Sequence, residues 1–375
     1  MRVTSLGLED FRSYERVELE FAPGITVFVG RNGQGKTNLV EAIGYVATHS
    51  SHRVASDAPL VRQGAERAII RCGIHHQDRD AFIELELNPG KANRARINRS
   101  NVTKARDALG YLRTVLFAPE DLSLVKGDPG DRRRFLDDAV IQLAPKYAGV
   151  KADYERVLKQ RNALLKSSRQ ARRHAISDVI ATLEVWDAQL ITFGTQVTTQ
   201  RAEFIRRLQP FARDEYTNVS DGGGELTLNY VTKLEAQIDL EDADAVRAGM
   251  AALIDERRKD ELDRGVTLVG PHRDDVSIVL SGLPAKGYAS HGESWSAALA
   301  MRLASFHLMR AEFDGDPVLI LDDVFAELDA MRRRKLAQSV HSAEQVLITA
   351  AVAEDIPAEL AGARFEVVQG TVSVS

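Results

Sequence analysis

The stretch Gly30-Arg31-Asn32-Gly33-Gln34-Gly35-Lys36-Thr37 fits the pattern G-x-x-x-x-G-K-[ST] in full. It follows an apolar run at residues 25–29 and precedes a helical pattern at 38–47, the context a phosphate-binding loop requires. Glycines let successive backbone N–H groups curl around phosphate oxygens, and the N-terminus of the next helix adds positive potential. Lys36 supplies a point charge for the β- and γ-phosphates of ATP, and the Thr37 hydroxyl is a ligand for Mg²⁺.

Such a loop needs an acid on the metal side. Val318-Leu319-Ile320-Leu321 reads as a buried strand that ends in Asp322-Asp323. Asp322 is the expected outer ligand of Mg²⁺, and Asp323 stands where it can orient or deprotonate an attacking water. An Asp pair that only caps the next helix would leave the loop without its partner. A simple kinase or GTPase keeps loop and acid much closer than here, where most of the chain separates them. Other chemistry is weaker. His75-His76 and the remaining histidines lack ligand spacing. His272-Arg273-Asp274-Asp275 reads as a turn held by local ion pairs. Cys72, the one cysteine, sits in an apolar strand and excludes an internal disulfide.

The scaffold follows from composition and period. The 375 residues, 44% hydrophobic and 27% charged, are too apolar for a disordered chain and long enough for two or three domains. A net charge of −5 excludes a uniformly basic, polymer-coating protein and leaves room for local basic patches. No apolar run nears the ~18 residues of a membrane span, and Met1-Arg2-Val3 leads straight into strand-like sequence, so a cytoplasmic protein without membrane contact is expected. Alternating runs predict strands at residues 3–11, 17–21, 25–29, 68–74, 81–87 and 94–98, with a buried one at 114–117. Later strands are expected at 226–231, 266–269, 276–280, 318–321 and 345–349, and near Phe365 and Val372; helices are expected at 243–262, 293–312 and 326–341.

Between these ends the pattern changes. Ile176, Leu183, Leu190, Val197, Phe204 and Phe211 recur at seven-residue spacing, with Val179, Trp186 and Phe193 interleaved. That predicts a helix at 178–209 with a coiled-coil-like seam, packed on a second helix at 152–166 and joined to it by a turn at 167–174. A buried bundle and a protruding arm both fit. Lys151, Arg156, Lys159, Arg161, Lys166, Arg169, Arg172 and Arg173 face only Asp153 and Glu155, and Arg132-Arg133-Arg134 lies upstream. Positive charge on one helical element suits phosphate backbones. With Tyr154 as the one interleaved aromatic, sequence-independent contact through Arg132, Arg133, Arg134, Arg169, Arg172 and Arg173 is the expectation, against a solvated helix face.

The wide separation of loop and acid, with helical sequence between, resembles the ABC-type ATPases of the SMC and RecF families. The match is sharper to the RecF family of bacterial recombinational repair proteins. It rests on Gly7-Leu8-Glu9-Asp10-Phe11-Arg12-Ser13-Tyr14, Phe117-Ala118-Pro119-Glu120-Asp121-Leu122, Leu124-Val125-Lys126-Gly127 with Arg132 to Asp137, Gly270 to Asp275, and Asp322 to Asp329. These pieces stand in the family's order over nearly the whole chain.

The resemblance implies an α/β fold, an ABC-type P-loop ATPase head assembled from N- and C-terminal lobes, at 1–130 and 265–375. A helical, short coiled-coil-like insertion at 131–264 would separate them. It implies that Ser290, Gly292 and Glu293 form a signature that closes on ATP held by a second copy, making an ATP-dependent homodimer. It further implies DNA as ligand and RecO and RecR as partners in loading RecA, with support of the SOS response. Competing classes are a transporter-type ATPase subunit, disfavoured by the basic helical arm, and an SMC-like ring protein, for which the insertion is too short. This sequence departs from many ABC ATPases at three places. Asp323 stands where a Glu is common, Thr349 ends a strand where a switch histidine is common, and no glutamine takes the Q-loop place near Pro119-Glu120-Asp121. Slow turnover follows.

Overall fold

The computed structural model describes residues 1–168, 176–220, 224–313 and 315–374. The chain opens with β1 (Arg2–Phe11), β2 (Tyr14–Glu20), β3 (Gly24–Val29) and α1 (Lys36–Thr48). Strands β4 (Ala68–His76), β5 (Arg79–Leu87), β6 (Arg94–Ile97), β7 (Ser100–Asn101) and β8 (Thr114–Phe117) follow, then α2 (Leu122–Lys126). Helices α3 (Pro129–Leu143), α4 (Tyr147–Ser168) and α5 (Ile176–Val219) precede β9 (Leu226–Val231), α6 (Ala243–Arg264) and β10 (Asp275–Leu280). After β11 (Leu283–Pro284) and α7 (Ala285–Tyr288) come α8 (His291–Glu312), β12 (Val318–Asp322), α9 (Ala330–Val340), β13 (Gln345–Ala350), β14 (Ala363–Val368) and β15 (Thr371–Val374).

These elements cluster into two units, one of Met1–Lys126, Pro210–Leu226 and Leu280–Ser375, the other of Gly127–Gln209 and Thr227–Val279. The first unit is an α/β head drawn from both chain ends. One sheet, in the order β2-β1-β4-β5-β6-β7, is antiparallel. The other, β15-β14-β3-β13-β12-β8, is parallel up to its terminal hairpin. Strands β12 and β13 are buried along their whole length, which is why they read as unbroken apolar runs. One core takes Leu6, Ile70 and Leu85 from the first sheet, Phe28, Ile320 and Leu347 from the second, and Leu39 and Ile43 from α1. The Gln345 side chain accepts from Val3 N at 2.7 Å and donates to Val3 O at 2.9 Å, pinning β1 to β13. Register then does the positioning. Asp322 lies opposite Thr349, and Val29 lies opposite Ala350, so β3, β12 and β13 end together. Open α/β sheets bind ligands at that end.

The second unit is mainly helical. Gly194 of α5 has no room for a Cβ, which would stand 2.9 Å from Met250 Sδ on α6 and 3.3 Å from the Tyr154 ring on α4. The seam residues Leu183, Leu190, Val197 and Phe204 are buried, whereas Trp186 and Phe193 are half-buried. The 169–175 part of the expected interhelical turn, and the side chains of Ile176 and Val179, lie outside the described residues.

Three expectations need correction. Helix α5 does not stop before Pro210 but runs through it to Val219. A proline inside a helix costs about 3 kcal/mol, and buried Leu208 and Ala212 on either side outweigh it. No strand forms at 266–269; side chains take over the backbone bonds there, with Thr267 N donating to Asn162 Oδ1 at 2.8 Å and Leu268 N to Glu261 Oε1 at 2.7 Å. The helix expected from 326 begins at Ala330, because Asp329 caps it by accepting from Met331 N and Arg332 N.

Candidate nucleotide site

The loop 30–37 leaves β3 and enters α1, and its glycines are fixed by close neighbours. A Cβ on Gly30 would stand 2.2 Å from Val367 O. Gly35 has φ 113°, and a Cβ there would meet the Tyr14 hydroxyl at 2.8 Å. Tyr14 also donates to Gly35 O at 3.1 Å, while Gly370 N and Gln369 N brace Gln34 from the opposite side. Arg12, from the same motif as Tyr14, forks onto buried Glu41 of α1 at 2.8 and 2.6 Å. A cavity of about 700 Å³ opens beside Gly30, Arg31 and Gln34, walled by Val352, Glu354 and Val368.

Lys36 is buried and poorly satisfied. Its Nζ lies 3.3 Å from Arg31 O and 3.4 Å from Asn32 Oδ1, at the long end of hydrogen bonding. Burial lowers its pKa, and the charges of Asp323 and Asp322 oppose that shift. Thr37 Oγ1 donates to Asp322 Oδ1 at 2.9 Å across 285 positions of sequence. Thr349 Oγ1 donates to the same oxygen at 2.6 Å, and accepts from Asp323 N at 2.9 Å. Asp323 adopts φ 55°, a left-handed turn that Asp tolerates better than most residues. Its Oδ1 is buried with no hydrogen-bond partner. Burial raises its pKa, Lys36 lowers it, and Asp322 raises it further.

This donor set fits a phosphate and a hard cation. A hydroxyl, a carboxylate and a second carboxylate with an unused oxygen converge at a helix N-terminus. Among the described residues no cluster of three or more His, Cys, Asp or Glu side chains is arranged to hold a metal. A cation here therefore depends on phosphate oxygens and water for its remaining ligands, as Mg²⁺ does.

Ser290 and Glu293 open α8 with reciprocal bonds, Ser290 N to Glu293 Oε2 at 2.8 Å and Glu293 N to Ser290 Oγ at 3.2 Å. The serine oxygen accepts there, and the Ser290 side chain also bonds the Glu293 carboxylate, which lowers that carboxyl's pKa. A Cβ on Gly292 would stand 2.7 Å from Arg332 Nη2, and Arg332 pairs with the capping Asp329.

The family model described as RecF/RecN/SMC N terminal domain matches residues 2–366. DNA replication and repair protein RecF of Streptomyces avermitilis is 58% identical over 373 residues, 99% of each chain. The chain belongs to the RecF family. The protein of the same name from Kineococcus radiotolerans is 55% identical, with 96% of each chain covered. Among solved structures, "the recombination mediator protein RecF-ATPrS in RecFOR pathway" superposes with a TM-score of 0.89 at 26% identity, covering 100% of this chain and 98% of that one. A Smc head domain with an extended coiled coil, from Pyrococcus furiosus, is similar in fold at a TM-score of 0.55 and 17% identity. The RecF-family head is thus the ABC-type fold expected from the sequence.

Sequence reading missed several members of this RecF-family site. Thr349, noted for not being histidine, joins Asp322 to Asp323. His52 brings Nε2 to 3.6 Å from Asp322 Oδ2, and no spacing rule marks it. Asp121, in the stretch lacking a glutamine, caps Ala118 N at 3.0 Å and accepts from Arg302 of α8 at 2.6 Å, tying the end of β8 to the helix that Ser290 begins.

The expected DNA contacts fare differently. Arg132 is buried and forked onto Asp275 at 2.6 and 3.0 Å, so it is spent within the fold. Arg133 donates to Asp274 O at 2.8 Å, and Arg134 is exposed. Arg169, Arg172 and Arg173 lie outside the described residues. Arg161, counted in the basic stretch, is fully buried between Asp187 and Glu261. The turn at Gly270 to Asp275 is held by long-range partners, not local ion pairs: Arg201 on Pro271 O, Tyr154 on His272 and Tyr230 on Asp274. Among the described residues no helix is long and apolar enough to cross a membrane.

Proposed function

We propose that this chain is an ATP-dependent DNA-binding switch of recombinational repair and replication-fork recovery. The observation that carries the reading is the 2.9 Å bond from Thr37 to Asp322, which brings loop and acid from opposite ends of the chain to one helix N-terminus. The backbone N–H groups of residues 30–37 cradle the phosphates of ATP. Lys36 exchanges two long internal contacts for phosphate oxygens, a gain its burial enlarges. Thr37 and Asp322 hold Mg²⁺, which neutralises phosphate charge. Asp323 orients the attacking water and takes its proton, its basicity raised by burial. Its short reach makes turnover slow, which suits a timer better than a motor.

Ser290, Gly292 and Glu293 of a second copy close over the γ-phosphate, with the helix N-terminus facing the charge. If ATP favours this closure by ~2.7 kcal/mol at each of two sites, the dimer constant shifts by about four decades. The homodimer clamps DNA through backbone contacts, with exposed Arg134 and with Arg169, Arg172 and Arg173 as the cations offered. Hydrolysis releases it. The RecF of the RecF-ATPrS structure is a recombination mediator protein of the RecFOR pathway. On that likeness, RecO and RecR are the partners with which this chain supports RecA loading and the SOS response.

Sedimentation velocity with Mg²⁺, with and without ATP, tests the clamp. The wild type should pass from monomer to dimer on ATP, and Gly292→Arg should stay monomeric. A wild type that stays monomeric with ATP bound would overturn closure by a second copy.

A further inference from the structure

The residue that completes the cation site comes from neither the loop nor the two strands. His52 Nε2 is buried without a hydrogen-bond partner, and it faces Asp322 Oδ2 at 3.6 Å. That distance is too long for a direct hydrogen bond and short enough for both atoms to share one water. The two oxygens of Asp322 are used unequally. Oδ1 takes the hydroxyls of Thr37 and Thr349, while Oδ2 looks toward His52. The turn that carries His52 is itself fixed. Ser51 Oγ donates to buried Glu41 at 2.5 Å and accepts from Arg53 N at 3.0 Å and Val54 N at 3.2 Å. Glu41 lies on α1, one turn beyond Thr37. The imidazole is therefore held on the same helix that presents Thr37.

We propose that His52 is a positioning residue for the nucleotide-bound cation: its Nε2–H and Asp322 Oδ2 together hold a water of the hydrated ion. The inference rests on reading the loop as an ATP–Mg²⁺ site. It supplies an imidazole beside Asp322, where β13 offers the hydroxyl of Thr349. It also accounts for a buried nitrogen that would otherwise cost the fold stability without return.

Mn²⁺ is the probe, its affinity read by electron paramagnetic resonance on the full chain saturated with ATPγS. Nucleotide binding is first titrated in EDTA. In His52→Ala, ATPγS affinity in EDTA should be unchanged and Mn²⁺ affinity should fall by ~10-fold or more, as for other outer-shell ligand partners. His52→Gln, whose amide N–H reaches a similar point, should restore most of that loss. Unchanged Mn²⁺ affinity in His52→Ala overturns the proposal. So does lost ATPγS binding in EDTA, which would make His52 a structural residue, and so does a glutamine that restores nothing. A wild type that binds no ATPγS sinks the nucleotide reading itself, a result distinct from any difference among variants.

Discussion

The two units bury charge to opposite ends. In the helical unit, Arg161 is fully buried and bonded at all three nitrogens: Nε on Asp187 at 2.7 Å, Nη1 on Thr267 at 2.9 Å, Nη2 on Glu261 at 2.6 Å. Arg201 likewise forks onto Asp137 and adds Pro271 O, while Tyr147 takes up Asp137 Oδ1 again. In the head, Lys36 has two contacts of 3.3 and 3.4 Å, and neither Asp323 Oδ1 nor His52 Nε2 has a hydrogen-bond partner. Desolvation is costly in both places. A cation bonded at every nitrogen by the fold has little left for a ligand, whereas one left short keeps its free energy for the ligand. Satisfaction, more than burial, separates structural from binding charges here.

The comparison is broken most forcefully at Arg161. Arg161→Met leaves Glu261 buried without its cation and Asp187 with Arg258 alone, and should destabilise the helical unit by about 3–5 kcal/mol, read from urea unfolding. A loss below ~1 kcal/mol would mean that this network contributes little. Next in size is Lys36→Ala. Removal of two charge-assisted bonds, at about 1.5 kcal/mol each, should weaken ATP about 100-fold by titration. The unfolding midpoint should hold or rise, because a poorly paired buried charge is gone. A large loss of stability instead would place Lys36 with the structural cations.

The smallest effect sharpens the contrast within the helical unit. Burial raises Asp274 from 3.8 to about 6, against the Tyr230 bond and the charges of Arg201 and Arg133. Burial holds His272 down at about 4 from 6.5, with the hydrogen bond to Thr267 opposing. The raised Asp274 contributes stability that is present below 3.8 and lost as pH rises through 6. The depressed His272 contributes stability that is present above 6.5 and lost as pH falls through 4. Between about 4 and 6 the two oppose each other. Asp274→Asn removes the term that grows on acidification, so its stability should fall more steeply than the wild type's from pH 7 to 4, by about 2 kcal/mol. Parallel pH profiles would remove Asp274 from the balance.

Much of the nucleotide loop was legible because it is local. Lys36 and Thr37 follow a glycine-rich turn between an apolar strand and a helix, and eight consecutive positions carry that signal. Asp322 was legible from the apolar strand that ends in it. The seven-residue spacing of Leu183, Leu190, Val197 and Phe204 revealed a buried helical seam for the same reason. Arg132 misled because charge in sequence carries no depth: its partner Asp275 lies 143 positions away, and the arginine itself is buried. Arg161 misled in the same way. His52 and Thr349 carry no spacing signal, since each reaches Asp322 only through strand register or a turn anchored on Glu41.

What the sequence determined by itself was the kind of chemistry and the elements that bear it. Periodicity and turn residues act over a few positions, so a phosphate loop, buried strands and a long amphipathic helix are written where they occur. The tertiary structure alone decided which charges are spent and which remain available. Pairing depends on partners brought together by register and packing, as Thr349 is set opposite Asp322 by β12 and β13. Similar residue types are therefore left short of partners around Lys36 and Asp323 and paired internally around Arg161 and Arg201.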